Sequence, residues 1–207
     1  MNDRALVHIV DDDEDVRMSL DSLLRSVGLE TREHATADSL LSSEADDRPG
    51  CVVLDVRLPG VSGLDVQQQL TRLGIRIPVV MITGFGDVPM SVRAMKAGAV
   101  DFLTKPFRDQ DLLDAVAMAI ERDRRRRNDD IDVAAVRGRY LTLSPREQQV
   151  MMLATAGKLN KQIAGELGIS EITVKIHRGA AMRKMDARTF ADLVRMADLM
   201  AAVQPRH

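Results

Sequence analysis

The stretch Cys51-Val52-Val53-Leu54-Asp55-Val56-Arg57-Leu58-Pro59-Gly60 begins as an apolar run and then presents a carboxylate just ahead of a Pro-Gly turn signal. Short apolar runs of this kind read as strands buried on both faces, the usual appearance of a parallel sheet. Leu6 to Val10, Pro78 to Thr83 and Val100 to Thr104 repeat the pattern, and a weaker strand is expected between Leu29 and His34. Between them, Val16, Leu20, Leu23, Leu24 and Val27 recur at helical spacing before Gly28. Leu64 to Leu73 and Val88 to Lys96 are further helices, each followed by a glycine. With a last helix over about Gln110 to Arg122, the first part of the chain forms five βα units: an α/β, doubly wound parallel sheet, (βα)5.

In such sheets ligands bind outside the carboxyl ends of the strands, so the residue after each strand is where chemistry belongs. The first strand ends at Asp11, Asp12 and Asp13, the third at Asp55, the fourth at Thr83, and the fifth at Lys105 followed by Pro106. Carboxylates crowded together repel unless a cation sits among them, and oxygen ligands beside a phosphate suit a hard ion such as Mg²⁺ or Mn²⁺. An aspartate at that ion can attack phosphorus, while Lys105 and the Thr83 hydroxyl each pair with a phosphoryl oxygen. The set reads as a phosphoryl acceptor. Asp13, Glu14 and Asp15 suit a different task, capping the first helix and favouring its N-terminus.

The 207 residues, 45% of them apolar, suffice for two cored domains. From Gly138 onward 11 Lys and Arg face 6 Asp and Glu, a net +5, which leaves −7 for the residues before. The acidic half suits a cation or a regulated site and the basic half a polyanion. Cys51, the single cysteine, lies in a strand and reads as core. No apolar stretch approaches the roughly 18 residues of a membrane span, and the N-terminus lacks a signal-peptide pattern, so a soluble cytoplasmic protein is expected.

The stretch Glu121 to Arg139 is dense in charge, including Arg124 to Arg127, and reads as a linker whose start extends the preceding helix. From Leu143 the pattern is helical. Ser144, Pro145 and Glu147 make a capping box with proline in the first turn. Helices follow over about Asn160 to Leu167, Glu171 to Met185 and Thr189 to Met200, the middle two separated by a turn at Gly168 to Ser170. On the third helix Val174, His177, Ala181, Met182 and Met185 face inward. Ile172, Lys175, Ile176, Gly179 and Arg183 face solvent, and exposed isoleucines among cations suit a major groove, where apolar groups meet thymine methyls. The last helix presents Phe190, Leu193, Val194, Ala197 and Met200, either as core or in part as a dimer surface.

The acidic set, with Leu54-Asp55-Val56-Arg57-Leu58-Pro59-Gly60, resembles the CheY-like receiver domain over about residues 4 to 122. That resemblance implies that Asp55 is phosphorylated, that Asp12 binds Mg²⁺ with Asp11 alongside, and that the Arg57 backbone carbonyl is a further ligand. It also implies that Thr83 and Phe102 form a switch pair and that Lys105-Pro106 is cis. The segments Leu143 to Glu147, Asn160 to Ala164 and Ile169 to Lys175 resemble the LuxR/NarL-type helix-turn-helix over about residues 141 to 202. Its likeness puts Lys175, Ile176 and Gly179 at base edges and Lys161, Thr173, Arg178 and Arg183 at the phosphate backbone. Gly179 departs from the longer polar side chain common there.

Together with Gly84-Phe85-Gly86-Asp87-Val88-Pro89-Met90, the chain is similar to FixJ-type response regulators. The implied plan is a receiver at 1–122, a linker at 123–140 and a four-helix DNA-binding domain at 141–207. The implied partners are a sensor histidine kinase, double-stranded promoter DNA, a second copy on phosphorylation, and RNA polymerase, for activation. The alternatives are a Mg-dependent aspartate-nucleophile phosphatase, which usually carries a second acid where this chain has Arg57, and a phosphorylation-independent DNA-binding protein.

Overall fold

The computed structural model describes residues 4–44 and 46–203, which divide into two compact units, one ending at Arg127 and one starting at Asn128. The first unit runs β1 (Leu6–Val10), α1 (Glu14–Ser26), β2 (Glu30–His34), α2 (Ala37–Leu41), β3 (Gly50–Asp55), β4 (Arg57–Leu58), β5 (Val61–Ser62), α3 (Gly63–Arg72), β6 (Val79–Thr83), α4 (Val88–Lys96) and β7 (Asp101–Thr104), then enters α5 (Asp109–Leu141). Five strands form one sheet in the order β2-β1-β3-β6-β7, every pair parallel, while β4 and β5 make a small antiparallel hairpin. Strand order reverses between β1 and β3, so the crevice above their carboxyl ends opens where Asp11 and Asp55 emerge.

Strands β1, β3 and β6 are buried throughout, as mainly apolar runs covered on both faces require, with His8 the one polar residue inside them. Val7, Ile9, Val53 and Ile82 meet Leu20, Leu24, Leu112 and Val116 of α1 and α5 on one face. Val10, Val52, Leu54 and Met81 meet Val66, Leu70 and Ala94 of α3 and α4 on the other. Cys51 is fully buried, and desolvation pushes its thiol up to about 12, which fits core rather than reactivity. Gly50 starts β3 against β1 so closely that a Cβ there would collide with the Leu6 carbonyl oxygen.

Sequence periodicity ends the receiver's last helix near Arg122, but α5 continues unbroken for 33 residues to Leu141. The continuation has causes that periodicity does not register. Asp123, fully buried, accepts from the Gly50 backbone N–H at 3.1 Å and from Arg126 at 2.6 Å and Arg127 at 2.7 Å. Arg127 also donates to the carbonyls of Asp46 and Asp47. Further along, Val136 and Tyr140 pack into the core of the second unit. No proline interrupts the stretch.

The second unit adds α6 (Pro145–Thr155), α7 (Asn160–Leu167), α8 (Glu171–Met185) and α9 (Phe190–Val203). The capping box is present: Glu147 N–H donates to the Ser144 hydroxyl and Ser144 N–H to the Glu147 carboxylate, which also takes Lys184 Nζ at 2.7 Å. Gly168, at φ 65, ends α7 in the left-handed conformation, and Ser170 two residues later caps the start of α8. On α9, Leu193 and Ala197 are buried and Met200 packs with them, so most of the apolar stripe there is core, with Val194 half-buried and Phe190 exposed. Among the described residues no helix is long and apolar enough to cross a membrane.

Candidate functional site

Asp11 ends β1 and Asp55 ends β3, both buried, while Asp12 stands exposed beside them. One oxygen of each lies within 4.8 Å of the others, a spacing that can hold a metal ion. Lys105, following β7, donates from Nζ to Asp11 Oδ2 at 2.6 Å and lies 3.6 Å from Asp55 Oδ1. Asp55 Oδ1 is buried without a hydrogen-bond partner. Burial raises the Asp55 carboxyl above the usual aspartate range; Lys105 opposes that and the charges of Asp11 and Asp12 add to it. Three acids against one ammonium leave a local excess of negative charge, which a divalent cation offsets. The Lys105-Pro106 peptide is cis, as the resemblance implied.

Thr83 ends β6 one register step beyond the Asp55–Ile82 pair and is fully buried. Its hydroxyl accepts from the Phe85 N–H at 3.3 Å. Phe102 lies two residues short of the end of β7, half-buried against the core, and is not part of the acidic cluster. A Cβ on Gly86 would come within 3.0 Å of the Phe102 ring and would strike Thr104, so the 84–86 backbone rests directly on both. Arg57 is exposed, its guanidinium 4.5 Å from the centre of the exposed Phe85 ring. Sequence reading missed the Arg57–Phe85 stack and the Gly86 seat; the alternation Gly84-Phe85-Gly86 was the available signal.

In the second unit α8 exposes four of the five residues expected to face solvent. Ile172 is 71% and Ile176 63% exposed, with Lys175 and Arg183 exposed beside them. Gly179 is half-buried, and its only neighbour where a side chain would begin is the Arg183 guanidinium at 3.7 Å. Lys161 on α7 is exposed, and the Thr173 hydroxyl is 2.8 Å from that of Ser170. His177 is half-buried on the inward side. Arg178 behaves differently from the other cations: it donates to Asn160 Oδ1 at 2.7 Å and lies 4.8 Å from the centre of the Phe190 ring. It thus links α7, α8 and α9, a contact no local pattern foretold.

A parallel sheet thus delivers three acids and a lysine to one edge, and an all-helical unit with an exposed basic stripe follows it in the chain. Residues 7–117 match the family described as response regulator receiver domain, and residues 141–197 match bacterial regulatory proteins of the luxR family. The chain belongs to the response regulators. The regulator is 57% identical to Nodulation protein W of Bradyrhizobium diazoefficiens, over 95% of this chain and 87% of that one. It is 46% identical to Transcriptional regulatory protein FixJ of Rhizobium meliloti, over 92% and 94%. Among solved structures, Response Regulator StyR superposes with a TM-score of 0.81 at 46% identity, over 94% of this chain and 98% of that one. The regulator therefore carries a receiver and a LuxR-type DNA-binding domain, and its family consists of transcription regulators rather than typical enzymes. A receiver implies a histidine kinase partner, and the LuxR-type domain implies DNA.

Proposed function

We propose that Asp55 accepts a phosphoryl group from a sensor histidine kinase and that phosphorylation promotes DNA binding by α8. The observation that carries this is Asp55 itself: a buried carboxylate with one oxygen unbonded, 3.6 Å from Lys105 and beside two more acids. That unbonded oxygen attacks the phosphorus of the kinase's phosphohistidine; the P–N bond breaks, an acyl phosphate P–O bond forms, and the imidazole leaves with the electron pair. Small donors such as acetyl phosphate serve in the same way.

The buried orphan oxygen and the all-oxygen donor set fit Mg²⁺ or Mn²⁺, which Asp11, Asp12 and Asp55 would hold, with the Arg57 backbone carbonyl as a further ligand. When bound, the ion supplies neutralisation of charge on the transferred group. Lys105 moves from Asp11 to a phosphoryl oxygen, and the Thr83 hydroxyl leaves the Phe85 N–H for another. Freeing Phe85 loosens the 84–86 backbone from Phe102, which turns the site's new charge into a change of surface shape.

On DNA, Lys175, Ile176 and Gly179 face base edges, and Lys161, Thr173 and Arg183 face phosphates. Arg178, held by Asn160 and Phe190, positions α8. The phosphorylated regulator acts in the cytoplasm as a homodimer on half-sites about one helical turn apart and activates through RNA polymerase. A phosphatase reading is disfavoured by Arg57, whose side chain stacks on Phe85 where that reading needs an acid. The test is the mass and DNA affinity of wild type and Asp55→Asn after acetyl phosphate with Mg²⁺ at one fixed salt concentration. A phosphoryl-sized mass gain with tighter binding in wild type alone supports the proposal; equal DNA binding without any mass gain overturns it.

A further inference from the structure

At the opposite end of the sheet from Asp55, a cavity of about 290 Å³ lies between the five-residue helix α2, the end of α3 and the start of β3. Its wall holds Leu6, Leu40, Leu70, Ile75 and Ile77. Its rim holds the guanidiniums of Arg48, Arg76, Arg126 and Arg127 against the carboxylates of Glu44 and Asp46. Asp123 lies beneath Arg126 and Arg127, Glu30 pairs with Arg48, and Arg32 stands near His8. Arg48 and Arg127 each commit three of their five donors to protein oxygens and keep two.

One polar side chain reaches this cavity from inside the fold. His8, 6% exposed in the middle of β1, is a lining residue. Its Nδ1 lies 3.0 Å from His34 Nε2, and His34 Nδ1 lies 3.0 Å from the Ser39 hydroxyl. The two rings stack with centroids 5.2 Å apart. The chain Ser39, His34, His8 is therefore hydrogen-bonded from end to end and terminates at His8 Nε2, which no described residue bonds. Burial, His34 and the neighbouring arginines keep His8 neutral, its pKa pushed down to about 4, and burial with Arg32 also lowers His34, so that as neutral imidazoles each ring carries a single N–H. In the tautomer chain where Ser39 donates to His34 Nδ1 and His34 Nε2–H donates to His8 Nδ1, the remaining proton sits on Nε2 of the cavity-lining His8.

We propose that this cavity is a binding site for a small carboxylate with an apolar body, the carboxylate taking His8 Nε2–H and the spare guanidinium donors while the body lies on Leu40, Leu70 and Ile75. Phosphate lacks the apolar body, and an uncharged alcohol lacks the acceptor pair, so each satisfies half of the site. The site lies in the receiver's own fold and does not depend on the phosphorylation reading.

The test uses the full-length chain with benzoate as probe and benzyl alcohol and inorganic phosphate as controls. Binding is read by ligand-observed NMR and by ¹⁵N shifts of the histidine rings. Benzoate is expected to saturate, to shift the His8 ring nitrogens, and to bind at least tenfold more tightly than either control. His8→Leu removes the donor, and Ile75→Trp fills the cavity from its exposed rim without touching the histidines; both are expected to abolish saturation, while Asp55→Asn leaves it unchanged. Failure of benzoate to saturate, equal binding of phosphate, or undiminished binding by Ile75→Trp overturns the proposal.

Discussion

Replacing Asn160 with Ala removes the oxygen that accepts from Arg178 at 2.7 Å while leaving every charge of the DNA-binding unit in place. Hydrogen bonds to charged groups contribute about 1.5–3 kcal/mol, and partial exposure here points to the lower end. Phe190→Leu removes the ring under the same guanidinium, worth about 0.5–1 kcal/mol in an exposed setting. If these contacts hold α8 in its reading position, each variant loses DNA affinity by roughly three- to tenfold, taking about 1.4 kcal/mol per decade. The salt dependence distinguishes that role from a phosphate contact, because each phosphate neutralised contributes about 0.9 to the slope of log K against log salt. Fluorescence anisotropy with a duplex selected from random sequence, run from about 50 to 200 mM salt, gives the slopes. Asn160→Ala, Phe190→Leu and Arg178→Gln are expected to give lines parallel to wild type and displaced downward. Lys161→Gln is expected to flatten the line by about 0.9. An Asn160→Ala line superimposed on wild type, with Arg178→Gln flattened like Lys161→Gln, would refute positioning and make Arg178 a phosphate contact.

Other perturbations follow from the same structure. His8 is held neutral with its pKa near 4 against an ordinary 6.5, so the unfolded chain binds the extra proton first. Its contribution is complete above pH 6.5 and is lost as pH falls toward 4, by at most roughly 3 kcal/mol; denaturation midpoints at pH 7 and 4.5 should differ less in His8→Phe than in wild type. Glu147→Ala breaks the capping box and the Lys184 pair and should cost about 1–2 kcal/mol. Tyr140, the only tyrosine in a chain without tryptophan, sits in the second unit's core, so tyrosine fluorescence reads that unit alone. Gly50→Ala forces a methyl onto the Leu6 carbonyl between β1 and β3 and should destabilise the receiver by more than about 3 kcal/mol, seen by circular dichroism. Ile176→Ser should leave stability within about 0.5 kcal/mol, since the side chain is 63% exposed, yet weaken discrimination between operators by about 1–3 kcal/mol.

Strands β1, β3 and β6 were legible because a strand buried on both faces is mainly apolar, and their short length with turn or acidic residues at the ends separates them from buried helices. Asp11, Asp55 and Lys105 were legible because a parallel sheet places the residue after every strand at one edge, whatever the loops do. The helices of the second unit announced themselves through Ser144, Gly168 and Ser170, where local backbone chemistry starts and stops a helix with little help from the rest of the fold. Helix α2 carried too short a period to be seen, and α5 was cut short because its continuation rests on Asp123 reaching Gly50, far away in sequence.

From the sequence by itself came the doubly wound receiver, the helical DNA-binding unit and the acidic edge, because these depend on periodicity and on what directly follows a strand or precedes a helix. Tertiary structure alone decided that Asp55 keeps an unbonded oxygen, that Arg178 is occupied by Asn160 and Phe190, and that His8 and His34 share a hydrogen bond beside a cavity. Each of those facts joins residues far apart along the chain, and the free energy of such a contact depends on burial and mutual geometry that no local pattern encodes.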